Sequence, residues 1–165
     1  RQVDYEAIVS GFLVNVLHDD ISRWHVANRS YLVPCSDISS GFKAASVHMF
    51  QVGYRDGRDF RIELGVLVDP RTQYVSYLQE LITGTVSAPT AIGISGRRVD
   101  AESALGVAEK SGMEEVRLRA ENKCTIDVTM IGWKGNVWMV NYRFADRLRE
   151  DVTVTVDAVS GAIVR

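Results

Sequence analysis

The chain has 165 residues, 46% hydrophobic and 24% charged, with 13 glycines and 3 prolines; these globular proportions exclude disordered and fibrous classes. The formal net charge of −2, from 19 basic and 21 acidic residues, gives no electrostatic reason to expect nucleic acid or an anionic membrane as partner. No apolar run approaches the roughly 18 residues needed to cross a bilayer as a helix.

Residues 3–20, "VDYEAIVSGFLVNVLHDD", open with a helix signal. Asp4 is placed as N-cap and Glu6 in the first turn, where a carboxylate meets the exposed amides and the positive end of the helix dipole. Tyr5, Ile8, Val9, Phe12 and Val16 recur at helical spacing and form the predicted apolar stripe. A less regular stretch follows, including an insertion-like segment at 29–43. Then His48, Phe50, Val52 and Tyr54 alternate, as do Phe60, Ile62, Leu64, Val66 and Val68. Between the two runs stands Asp56-Gly57, a dipeptide that tolerates the positive φ angles of a tight hairpin.

Residues 83–98, "TGTVSAPTAIGISGRR", are rich in Gly, Ser, Thr and Ala without a sustained period, which reads as a linker. Helix signals return at 99–112. Asp100 suits an N-cap, Ala101, Ala104, Leu105 and Ala108 share a face, and Gly112 suits a left-handed C-terminal cap. Strand-like alternation then runs through Val116, Leu118 and Ala120, through Ile126, Val128 and Met130, through Trp138, Val140, Tyr142 and Phe144, and through Val152, Val154 and Val156.

The expected fold class is therefore α+β. The expected organisation is two helix-plus-antiparallel-sheet units at 1–82 and 99–165, joined by the 83–98 linker. "VDYEA" and "VDAES" begin the halves while "VDPRTQYV" and "VDAVSGAI" end them. That shared order suggests an internal duplication.

Chemistry-bearing patterns are sparse. His18, His25 and His48 lack metal-ligand spacing. "GISG" at 93–96 is one residue short of a nucleophile elbow and lies in the linker, and no phosphate-binding loop is present. No catalytic residue, metal site or cofactor is assigned. Cys35 and Cys124 are too few for a disulfide scaffold and too far apart for a redox or zinc pair, leaving two buried thiols or one long-range bond. At the chain's end Asp157, Ser160 and Gly161 read as a structural turn. The carboxylate would accept amide hydrogens across it, and the glycine would supply the left-handed residue. Trp138 and Tyr142 read as packing residues. Trp133, beside Lys134 at a hairpin tip, reads as an exposed protein-binding anchor, and Arg143 is grouped with it because interface hot spots favour Trp, Tyr and Arg.

The second half resembles a PepSY-type domain. The motifs that carry this are "VDAESALGVAEKSG" for an opening helix, "WMVNYRF" for a middle strand and "VTVDAVSGAIV" for a closing hairpin, together covering about 98–165. The first half resembles it only in outline and lacks the turn glycine, Gln73 standing in its place. The resemblance implies a non-enzymatic module of the cell envelope, extracellular or periplasmic, that binds or restrains a peptidase or another protein. An envelope location, with one cysteine per half, favours a Cys35–Cys124 bond. The expected function is thus a protein-interaction or peptidase-regulating module with a protein partner. The alternative is a small-ligand-binding α+β domain with a cleft between helix and sheet.

Overall fold

The computed structural model describes residues 5–69, 72, 74–84, 91–92, 99–132, 136–146 and 149–164. Helix α1 (Tyr5–Asn15) is followed by strands β1 (His25–Pro34), β2 (Ala44–Arg55), β3 (Arg58–Asp69) and β4 (Tyr74–Thr83). Helices α2 (Ala101–Ala108) and α3 (Glu114–Arg119) come next, then β5 (Cys124–Gly132), β6 (Asn136–Phe144) and β7 (Val152–Asp157). All seven strands form one antiparallel sheet in the order β4-β3-β2-β1-β5-β6-β7.

This overturns the expected pair of helix-plus-sheet units. The joint is β1, which lies in the stretch that lacked a clean period. It pairs with β2 on one side and with β5 on the other, so the halves share a single ladder. A bulge between Val26 and Asn28 shifts the side-chain alternation of β1 within the strand. Val26 faces one way before it, and Arg29, Tyr31 and Val33 take that face after it, so no single two-residue period runs through the sequence. The supposed insertion at 29–43 is the rest of β1 followed by a 3₁₀ segment, Cys35–Ser40. Nor are the halves alike. One contributes four strands and a continuous helix; the other contributes three strands and a broken helix.

Both helical layers lie on the same face of the sheet. Opposed residues in a ladder share a face, so the registers run one inner row from Val68 through Ala45, Tyr31 and Val128 to Val140 and Val154. Helix α1 buries Val9, Phe12 and Leu13 against Val47, Met49, Leu64, Val66 and Val68. Val16, assigned to that stripe, is 56% exposed. The inner residues of β2 are Val47, Met49 and Gln51, and His48, Val52 and Tyr54 face away from α1, reversing the expected core face of this strand. Helix α2 places Ala101, Ala104, Leu105 and Ala108 over Ile126, Val128, Met130, Trp138, Val140 and Tyr142. Its small side chains let the helix axis approach the sheet closely, and Asp100 caps it by accepting from the Ser103 N–H at 2.8 Å.

Helix α3 occupies the stretch expected as a strand at Val116, Leu118 and Ala120. Gly112 (φ 113°) breaks the helical path within a wide turn, Glu109–Met113, and the chain then re-enters a helix. The alternation misled because Arg117, not Leu118, points inward. Arg117 is buried while Leu118 is 54% exposed. At the β2–β3 tip Asp56 (φ 53°) and Gly57 (φ 78°) form the two-residue connection between Arg55 and Arg58. The β1–β5 register, which opposes Pro34 and Thr125, brings the next residues together as well. Cys35 and Cys124 are joined by a disulfide with a Cα–Cα distance of 5.2 Å.

Candidate functional site

Among the described residues the most exposed apolar surface is the edge strand β4, of which the sequence expectation reached only the start, in the motif that ends the first half. Its entry is a short polar turn. Asp69 Oδ1 accepts from the Thr72 N–H at 3.4 Å, and Thr72 Oγ1 accepts from the Tyr74 N–H at 3.3 Å. The strand "YVSYLQELIT" carries one charge, Glu80, in ten residues. Leu78 is 74% exposed, Tyr74 67%, Leu81 63% and Tyr77 50%. Tyr77 and Leu81 stand on the helix-covered face, where the Tyr77 ring lies 5.0 Å from that of Phe12. Tyr74 and Leu78 stand on the open face.

The backbone parity of β4 is fixed at its end. The Gly84 N–H donates to the Asp59 carbonyl at 3.1 Å. In an antiparallel ladder inward and outward pairs alternate, so even-numbered residues of β4 bond to β3 and Val75, Tyr77, Gln79 and Leu81 turn their amides and carbonyls outward. A long, flat, apolar edge with free donors and acceptors is a ready template for another strand. Among the described residues nothing pairs with this edge.

The opposite edge is covered in part by the chain itself. After β7, Asp157 Oδ1 accepts from the Val159 N–H (3.0 Å), the Ser160 N–H (2.7 Å) and the Ser160 hydroxyl (2.9 Å). These bonds, those of Ser160 first, hold the Asp157 carboxyl below its ordinary pKa. Gly161 takes φ 73°, and the chain folds back. The Asp157 N–H then donates to the Ala162 carbonyl (2.8 Å) and the Val164 N–H to the Thr155 carbonyl (2.8 Å). The turn of Asp157, Ser160 and Gly161 thus occupies the outer side of β7 at its C-terminal end.

Beside β4 the open face carries a shallow groove of about 350 Å³ floored by Gly65 and walled by His48, Leu67, Ser76 and Leu78. Its polar flank is a chain of contacts. His48 Nε2 meets Glu63 Oε2 at 3.1 Å, and Arg61 pairs with Glu63 Oε1 at 2.6 Å. A second hollow of about 500 Å³ lies on the helix side, between α2 and the 3₁₀ segment. Val33, Ile38, Phe42 and Leu105 line it, with Glu102, Glu109 and Lys110 also on its wall. Below it Glu109 accepts from the Tyr142 hydroxyl (2.7 Å) and from Arg117 Nε and Nη2 (3.0 and 2.7 Å). Arg117 Nη1 also donates to Asn122 Oδ1 at 2.6 Å. Burial, reinforced by the Glu109 carboxylate, pushes the Tyr142 phenol well above its ordinary pKa. The phenol donates to Glu109, and the groups of this network pair with one another.

The residues named from sequence as a binding surface are described only in part. Trp133 and Lys134 lie outside the described residues, as does "GISG". Arg143 lies seven residues along β6 from Asn136, roughly 23 Å at strand rise, and its Nη2 donates to Asp127 Oδ2 at 3.1 Å. Trp138 and Tyr142 are buried, with Trp138 Nε1 donating to the Val99 carbonyl at 2.9 Å. His25 stacks near Phe50 and His48 pairs with Glu63. Among the described residues no group of three or more His, Cys, Asp or Glu is arranged to hold a metal ion, and no helix is long and apolar enough to cross a membrane. What sequence reasoning missed is the length of β4 and its place at the sheet edge, and a signal was present. Tyr74, Leu78 and Ile82 on one face and Val75, Tyr77 and Leu81 on the other make a strand apolar on both sides with a lone charge. No family model matches the chain, and no curated protein and no solved structure matches it.

Proposed function

We propose that the chain is a non-catalytic protein-interaction module that joins another polypeptide by strand addition along β4. The observation that carries this is the ten-residue edge, unpaired among the described residues, with Leu78, Tyr74, Leu81 and Tyr77 exposed beside it. Main-chain hydrogen bonds would supply the common part of the affinity, and alternate side chains on the two faces the specificity. A peptidase or another protein of the cell envelope is the partner class suggested by the PepSY-like motifs at 98–165. Binding without catalysis is further supported by the Glu109–Arg117–Tyr142 network, whose strong groups satisfy one another.

The test is amide-resolved NMR of the protein titrated with a panel of unstructured peptides of alternating apolar pattern. Protection from exchange should rise at Val75, Tyr77, Gln79 and Leu81, the outward amides, and stay constant at Ser76, Leu78 and Glu80. A second reading, small-ligand binding, is favoured by the hollow between α2 and the 3₁₀ segment, since about 500 Å³ falls within the usual range for such sites. Shifts clustered around Leu105, Glu109 and Phe42 on titration with small apolar ligands, with β4 unresponsive to every peptide, would replace the first reading by this one.

A further inference from the structure

We infer that the strand added at β4 is the β4 of a second copy of this chain, antiparallel about a two-fold axis that passes beside Leu78. The inference rests on the strand-addition reading and names its occupant. Three observations bear on a second copy: parity permits it, and pattern and charge select it. The first is parity. A two-fold axis perpendicular to the sheet makes like faces continuous, so opposed residues must both be even or both be odd. The outward groups of β4 belong to odd residues, as the Gly84 to Asp59 bond shows. Such an arrangement therefore sets outward amides against outward carbonyls all along the seam.

The second observation is pattern. With the axis at Leu78, Tyr74 opposes Ile82, Ser76 opposes Glu80 and Leu78 opposes itself on the open face. On the helix-covered face Val75 opposes Leu81 and Tyr77 opposes Gln79. Every exposed apolar residue of the strand then meets an apolar or amide partner, and Glu80 meets a hydroxyl. Moving the axis to Gln79 sets the Glu80 carboxylate against Leu78, and moving it to Tyr77 shortens the overlap. The third is charge. Glu80 is the sole charge on β4, and the Leu78 axis keeps the two copies of it about 13 Å apart along the strands. The seam lacks the like-charge repulsion with which proteins commonly protect an edge.

The experiment uses the whole chain with its disulfide intact, so that an introduced cysteine is the sole free thiol among the described residues. Leu78→Cys should cross-link to its own copy under mild oxidation at least tenfold faster than Gln79→Cys. Residues opposed across an axis have Cβ atoms roughly 5 Å apart, whereas those two places out of register stand near 8 Å. Gln79→Pro removes an outward N–H and leaves the β3 ladder whole, a position at which an edge strand accepts proline. Sedimentation should show a wild-type dimer and a Gln79→Pro monomer with unchanged circular dichroism, and the thermal midpoint should rise with concentration for the wild type but not for the variant. A monomeric wild type at every concentration, or equal cross-linking at positions 78 and 79, overturns the inference. If the wild type is monomeric yet a foreign peptide protects the odd-numbered amides, strand addition stands and the second copy falls. If neither occurs, both fall.

Discussion

Glu109 shows how far a single side chain's role departs from its place in the sequence. In "VAEKSG" it reads as one more solvated helix charge, yet its carboxylate takes hydrogen bonds from Tyr142 and from two nitrogens of Arg117. Arg117 itself is 7% exposed. Removing one partner of a buried ion pair strands the other charge. Glu109→Ala should therefore cost about 3–5 kcal/mol in urea unfolding, while Tyr142→Phe, which leaves both charges paired, should cost about 1 kcal/mol. Equal losses for the two variants would show that the phenol, not the guanidinium, is the main dependant of Glu109. None of this was legible in one dimension, because the inward turn of Arg117 follows from the helical break at Gly112. The Asp157 turn was legible, because Asp-x-x-Ser-Gly sets its own hydrogen bonds within five residues.

Elements were readable where one face is wet and one dry. Strands β3, β5 and β6 alternate cleanly, and α2 announces itself with Asp100 and its alanines. The two strands not read in full are the central one and an edge. Strand β1 has Arg29 on its inner row and a bulge that resets its period; β4 is apolar on both faces. The disulfide ties the end of β1 to the start of β5 across 89 residues of chain. A closed loop of that length restricts the unfolded ensemble strongly, so replacing both cysteines with alanine should lower stability by roughly 2–5 kcal/mol. Chemical denaturation of the oxidised protein and of the double variant measures it. A difference below the error of extrapolation would mean that the β1–β5 ladder alone fixes the pair.

For the molecule as a whole, the continuous sheet makes a prediction that two separate units would not. Strand β1 is hydrogen-bonded to both halves, so neither can unfold without exposing a long apolar edge on the other. Calorimetry should give one transition whose calorimetric and van't Hoff enthalpies agree. Two resolved transitions would restore independence to the halves. Individual helices and strands could be read locally, but the expected α+β class of two helix-plus-sheet units is overturned by the single seven-stranded antiparallel sheet, since the pairing of β1 with β5 joins residues about a hundred apart. Distant register of that kind leaves no local trace.

The unequal ends of the sheet also set the arithmetic of assembly. The chain's own return at Ala162 and Val164 occupies the β7 border at its C-terminal end, and among the described residues only the β4 border offers a full-length template. A molecule with one receptive border has a valence of one. Contacts of this self-matching kind saturate at two copies, whereas a head-to-tail contact between unlike borders would propagate into a filament. The turn at Asp157 would thereby also hinder growth of the sheet past the C-terminal half of β7.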